Sequence, residues 1–331
     1  MTVLRNWFAQ GTPWIWLNAG AVALSLLLVG GLLVFIVMQS VGVFWPADMS
    51  GHLGSKLLQY LQNWWQFLSG DSSEGGIFPA ILGTVLMVML MSVLVTPLGV
   101  LAAVYLHEYA KEGPLLKVIR VAVHNLAGVP SIIFGVFGLG FFVYFLGGSI
   151  DSLFYPDQLP TPTFGTPGLL WVSLTLALLT LPVVIVATEQ GLAGIPKNLR
   201  LGCFALGATK AEVIWKIVLP QASPAMVTAL MLAIARAAGE VAPLVFVGVV
   251  KSAPALPISS EFPYLQLQQK ITSLSMHIYD AGLQSPDAQR AEPLVFASAM
   301  VLITLIFILN LLAYRLRKRL NSRYRNRTVN E

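Results

Sequence analysis

Two residues stand where charge is expensive. Between about Ala222 and Val250 the chain is almost wholly apolar, yet Arg236 and Glu240 lie inside that run, four positions apart. In a helix such residues share one face, separated by about 40° around the axis, so they can pair. A charge near the centre of a bilayer costs at least roughly 2.5 to 3.5 kcal/mol on insertion scales, so it normally faces a bundle interior or a wet cavity. Arginine adds a planar, permanent cation whose fork suits phosphate oxygens, which makes Arg236 a natural transient contact for a hydrated anion. Glu240 can hold the guanidinium in place and keep an anion from binding too tightly. The competing reading is a salt bridge that only locks helices together. Ala229, Ala233, Ala237 and Gly239 are small enough to let neighbouring helices come close. Pro243, one turn on, is expected to loosen the helix locally.

Other chemistry is scarce. Cys203 is the single cysteine, and the four histidines show no metal-ligand spacing, since His107-Glu108 lacks the second histidine of H-E-x-x-H. No G-x-x-x-x-G-K-[ST] phosphate cradle is present, so the chain is not expected to hydrolyse ATP itself. No metal and no cofactor are expected. Ser131 beside Pro130 is a weaker candidate for a polar path, because a serine more often bonds its own helix. Pro97, Pro130 and Pro182 fall inside apolar stretches, where they are candidate bending points.

The elements that must carry these residues follow from composition. The chain is 56% hydrophobic and 11% charged, where ordinary globular chains carry about 25% charged residues. Uncharged apolar stretches occur near 17–38, 79–106, 125–147, 168–188 and 293–314, and 222–250 with its two charges makes a sixth apolar stretch. Each reaches the roughly 20 residues a spanning helix needs. An all-α integral membrane protein with six transmembrane helices is expected. The first stretch is too long for the apolar core of a cleaved signal peptide and is read as a retained helix.

Loop charges alternate. Loop 39–78 is acidic, with Lys56 against Asp48, Asp71 and Glu74; loop 107–120 is basic; loop 148–167 carries only Asp151 and Asp157; loop 189–221 is basic again. By the positive-inside rule both termini are cytoplasmic. The tail after Tyr314, with Arg315, Arg317, Lys318, Arg319, Arg323, Arg325 and Arg327, is a topology anchor beside anionic membrane lipid rather than a nucleic-acid site. In the first external segment, 52–68, Leu57, Leu61, Trp64, Trp65 and Leu68 fall near one helical face, which suits an interfacial helix. The last external loop, 251–292, is either a docking surface or a cap over the bundle.

Loop 189–221 is the informative one. After a patch of small residues it reads as an amphipathic helix, AEVIWKIVL, stopped by Pro220. From Leu201 to Pro220 it resembles the E-A-A-x3-G-x9-I-x-L-P loop of membrane subunits of ABC-type importers: Gly207, nine residues, then Ile217, Leu219 and Pro220. ALGATK (205–210), AIARAAGEVAPL (233–244), GGIFPAILGT (75–84), LAGVPSIIFGVFG (126–138) and HIYDAGLQSP (277–286) narrow the resemblance to the A-type permease subunits of bacterial high-affinity phosphate importers. One departure stands out: Leu201, Gly202 and Cys203 replace Glu-Ala-Ala, so the glutamate is missing.

The resemblance implies a type I ABC importer permease (MetI-like) fold in the inner membrane. It implies a core over 79–315 behind an N-terminal segment 1–78, and a cytoplasmic tail over 316–331. It implies that Ala205, Leu206, Gly207, Ala208, Thr209, Lys210, Ile217, Leu219 and Pro220 couple to an ATPase. Arg236 and Glu240 would serve phosphate transport. The implied partners are a second, homologous permease subunit, two ATPase subunits and a periplasmic phosphate-binding protein. The same residues leave open another oxyanion as cargo, or a membrane sensor of phosphate status.

Overall fold

The computed structural model describes residues 12–44, 53–70, 76–158, 160–253, 255–260, 262–284 and 288–327. Six of its helices are long and apolar enough to cross a membrane. They are α1 (Thr12–Val43), α3 (Phe78–Val104, prolonged by a π-helical turn Tyr105–Tyr109), α5 (Ser131–Phe154), α6 (Leu169–Ala193), α8 (Lys210–Gly239) and α11 (Ala288–Arg327). Between them run α2 (Leu53–Ser69), α4 (Pro114–Leu126), α7 (Lys197–Ala205), α9 (Leu244–Val247) and α10 (Leu274–Leu283). Two isolated bridges, Val249 with Ile271 and Ile258 with Leu265, are the β pairing among the described residues. Helices dominate because each satisfies its own backbone polar groups, which lipid cannot do.

Helix α6 is the axis of the bundle. Two-thirds of its apolar window (67%) is buried, against none for α1. It packs mainly on α3 and α8. Close approach is set by glycine: a Cβ on Gly99 would come within 2.6 Å of Val184, and one on Gly191 within 2.3 Å of Ala225. Hydroxyls inside the bundle return to their own helix, as Ser173 does to Leu169 O (2.8 Å) and Thr180 to Leu176 O (2.8 Å). Helix α1 leans on α11, where Ser40 Oγ donates to Phe296 O at 2.8 Å, and leaves most of its apolar surface open.

The structure redraws several expected elements. The span expected over 222–250 begins at Lys210 and ends at Gly239. Pro220 therefore does not stop the helix that starts at Lys210. A π-helical turn at Ile214–Val218 comes first, and its wider winding makes room for the ring of a proline that has no N–H to give. Pro243 loosens no helix, because the helix has already ended; it precedes the four-residue α9. Pro97 and Pro182 lie inside helices as expected, but Pro130 lies just before α5. The stripe expected on 52–68 divides. Trp64 and Leu68 pack inward with Phe67, while Leu57, Leu61 and Trp65 face outward. Helix α11 runs without a break past 315 to Arg327.

Residues 265–276 of segment 251–292 pack onto the bundle as a cap, while most of the described residues over 251–264 are exposed. Ile271 through Met276 are buried, and the backbone of 267–269 accepts from the first turn of α6, with Leu169 N to Gln269 O at 2.8 Å and Leu170 N to Leu267 O at 2.9 Å. These bonds satisfy N–H groups that a helix start leaves orphaned.

Candidate functional site

Helix α8 joins two places of interest. At its start, Thr209 caps the helix in a capping box: Thr209 Oγ1 accepts from Glu212 N, and the Glu212 carboxylate accepts from Thr209 N at 3.0 Å. Just before it, Gly207 sits at φ +83, a left-handed conformation that L side chains seldom adopt. The turn thrusts Leu206 outward until it is 90% exposed. Ala205 ends α7. Gly207, Ala208 and Ile217 line an open cleft of about 380 Å³ with Cys203 and Lys216. Leu219 lies in a neighbouring apolar groove beside Tyr105 and Trp215, and Pro220 is half-buried on α8.

This turn is bolted to the end of α3. Glu108 Oε1 takes Arg200 Nη2 at 2.9 Å and His107 Nδ1 at 3.0 Å. Arg200 also donates to Leu192 O at 2.9 Å. Lys210 donates to the carbonyl of Glu108, with its ammonium 4.7 Å from the Tyr109 ring centroid. A second pair, Arg120 Nη2 to Glu189 Oε1 at 2.7 Å, ties α4 to α6. Sequence reading missed Glu108, Arg120, Glu189 and Arg200. Their pairings are contacts between distant segments, and the available signal was only that the two basic loops also carry acids.

At the other end, α8 stops. Glu240 is the C-cap, with φ −73 and ψ 141, so the chain turns away from the helix after it while its side chain stays on the side of Arg236. The pair forms loosely: Arg236 Nε lies 3.6 Å from Glu240 Oε1, with the side chains 34% and 17% exposed. That separation is an ion pair beyond hydrogen-bond length. Gly239 between them is exposed, and a Cβ there would meet nothing within 4 Å. The broken end is held from behind. Ser275 Oγ donates to Glu240 O at 2.8 Å, and Thr84 Oγ1 accepts from Leu274 N at 2.9 Å. On a third side Gly135 of α5 abuts Pro243, where an added Cβ would fall 2.6 Å from its Cα. Ser131 opens α5 one turn before this contact and is half-buried. Among the described residues no group of three or more His, Cys, Asp or Glu could hold a metal.

A bundle in which one central helix runs from an exposed turn to a charged break fits a multi-pass membrane component of a transport machine. The chain belongs to the family of binding-protein-dependent transport system inner membrane components, which it matches over residues 95–325. It is similar to the phosphate transport system permease protein PstA of Mycobacterium leprae, 38% identical over 57% of this chain and 58% of that protein. It is similar also to PstA of Yersinia pestis, 32% identical over 73% of this chain and 72% of that protein. Among solved structures, a bacterial alginate ABC importer subunit superposes with TM-score 0.56 at 14% identity, covering 90% of this chain and 94% of that one. The MetNI methionine ABC transporter gives 0.52 at 18% identity, covering 78% and 98%. The fold is that of the MetI-like ABC importer permeases.

Proposed function

We propose that this chain forms one half of the membrane path of an ATP-driven importer of inorganic phosphate, with the fuel burned by a separate ATPase. The observation that carries the reading is the continuity of α8. One helix of 30 residues, about 45 Å long, starts at the exposed turn 205–209 and ends at Arg236 and Glu240. A push on the turn therefore reaches the charged break without passing through a loop. The π-helical turn and Pro220 supply the place where the helix can flex.

In this scheme two ATPase subunits seat against the turn and the α7–α8 cleft on this chain and on a homologous permease partner. A periplasmic phosphate-binding protein delivers the anion from the opposite side, and both termini lie in the cytoplasm. ATP-driven closure of the ATPase pair moves the clamp around Glu108 as a unit, and α8 with it. ATP supplies the bias because it binds the two states differently. Arg236 offers phosphate oxygens a fork of donors that the loose contact with Glu240 leaves available, and Glu240 limits how long the anion stays. The names of the relatives, the phosphate-suited guanidinium and its open surroundings support this cargo.

The test is phosphate uptake by the reconstituted four-component complex. Arg236→Gln is expected to lower uptake at least about tenfold, the scale of one lost charge-assisted hydrogen bond, with assembly intact. Uptake at the parent rate would remove Arg236 from the path. Stimulation of ATP hydrolysis by a binding protein loaded with sulfate, molybdate or phosphonate, but not phosphate, would reassign the cargo.

A further inference from the structure

Arg317 belongs by sequence to the basic tail, yet its head group is not directed there. It lies two residues beyond the apolar part of α11, Ala291–Arg315. An arginine so placed ordinarily extends toward water and away from hydrocarbon. Arg317 instead reaches across to α8, where Nη1 donates to Thr228 Oγ1 at 3.1 Å. Thr228 lies eight residues before Arg236, which is about 12 Å along the helix. Thr228, Leu232 and Gly239 are exposed on α8 and Ala235 is half-buried, at spacings of four, three and four that keep them on one side. Two guanidinium groups thus border the same open strip of one helix.

They differ in their partners. Arg120, Arg200 and Arg236 each meet a carboxylate. Arg317 forms no ion pair among the described residues, and its side-chain partner is a neutral hydroxyl. A guanidinium carries five N–H donors in a fixed fork, so one bond to a threonine leaves most of that fork for an oxyanion. A cation that only set topology would gain nothing from turning inward.

We propose that Arg317 and Thr228 form a second oxyanion station, on the inner side of Arg236, which takes phosphate after it leaves the break. The proposal rests on the phosphate-path reading above. Thr228 and Arg236 lie about 12 Å apart along the helix, so in this scheme the anion is handed from one fork to the other. Thr228 is the positioning residue: it aims the guanidinium at the strip.

The experiment uses the full complex in phosphatidylcholine nanodiscs, with Cys203→Ser and Leu232→Cys, and follows the labelling of position 232 by a charged thiol reagent with and without inorganic phosphate. Phosphate is expected to slow labelling, to go on doing so in Arg236→Gln, and to lose most of the effect in Arg317→Gln. Protection unchanged by Arg317→Gln but abolished by Arg236→Gln overturns the second station and leaves the path reading standing. No protection in the parent complex sinks both. Protection that arises only when phosphatidylglycerol replaces phosphatidylcholine, and not with inorganic phosphate, assigns Arg317 to a lipid headgroup and overturns the proposal. In uptake, Arg317→Gln is expected to cost about tenfold, whereas Lys318→Gln, the same charge change on an exposed neighbour, stays within about twofold. Equal losses in both would reduce the effect to tail charge. Should Arg317→Gln not assemble, Thr228→Val removes the hydroxyl that aims the fork and carries the same test.

Discussion

Arginine meets glutamate at both ends of the relay helix, and the two meetings are built differently. Around Glu108 the contacts are short and shared: one carboxylate oxygen holds Arg200 at 2.9 Å and His107 at 3.0 Å, with side-chain exposures of 15% for Arg200 and 11% for Glu108. At the break, Arg236 and Glu240 stand 3.6 Å apart and more open, beside an exposed glycine. The first arrangement is short, shared by two donors and more buried, so it behaves as a clamp. The second leaves donors for something that comes and goes. The same two residue types thus serve stiffness in one place and exchange in the other, and what separates them is contact distance and burial rather than identity.

The contrast is broken most directly by neutralising each acid in turn. Glu108→Gln leaves Arg200 partly buried without its counter-charge, which is expected to cost about 3 kcal/mol and to lower the midpoint of thermal unfolding of the detergent-solubilised chain. Glu240→Gln is expected to cost under about 1 kcal/mol, because that pair is loose and half-exposed, while phosphate uptake falls severalfold. Equal stability losses in the two variants would erase the distinction between clamp and exchange site.

Glycine sharpens the same comparison at a smaller scale. Gly207→Ala is expected to cost about 1 kcal/mol through its left-handed backbone alone, since a Cβ there meets nothing within 4 Å. Gly239→Ala has equal room and a helical backbone, so chemical denaturation is expected to show no loss, and alanine's helix propensity gives a slight gain. A larger cost at 239 than at 207 would mean that the break is not open as described.

The smallest effect lies in the cap. Burial lowers the pKa of His277 below its ordinary value, Asp280 opposes this, and Lys251 adds to it. The folded cap therefore keeps the imidazole neutral while the unfolded segment takes up a proton. Stability is unaffected above the ordinary value of about 6.5 and is lost as pH falls from there toward the lowered folded value. Hydrogen-exchange protection in α10, taken relative to the intrinsic exchange rate at each pH, is expected to fall on going from pH 7.5 to about 5.5, and His277→Gln to flatten that response. A loss of protection that persists in His277→Gln would place the sensitivity elsewhere.

Much of the architecture was legible because lipid leaves few choices. Apolar runs of spanning length had to become helices, and the charge alternation of the loops follows their order. Gly207 and the residues up to Pro220 marked the turn through their resemblance to the importer-loop pattern. Arg236 and Glu240 were conspicuous because charge in an apolar run is rare. Misreadings came where local rules compete. Pro220 reads as a stop, but a π-helical turn absorbed it; Pro243 reads as a loosening point within a helix, but the helix ended before it.

The sequence by itself determined the solvent, the number of crossings and the presence of an unusual charge pair, because each rests on composition or on short-range periodicity. Only the tertiary structure decided that Glu108 grips Arg200 across 92 positions of chain, that Ser275 braces Glu240, and that Arg317 turns back to Thr228. Those are meetings between distant segments. They depend on how helices cross, and crossing is fixed by the fit of many small side chains at once, such as Gly99 on Val184, which no single stretch of sequence records.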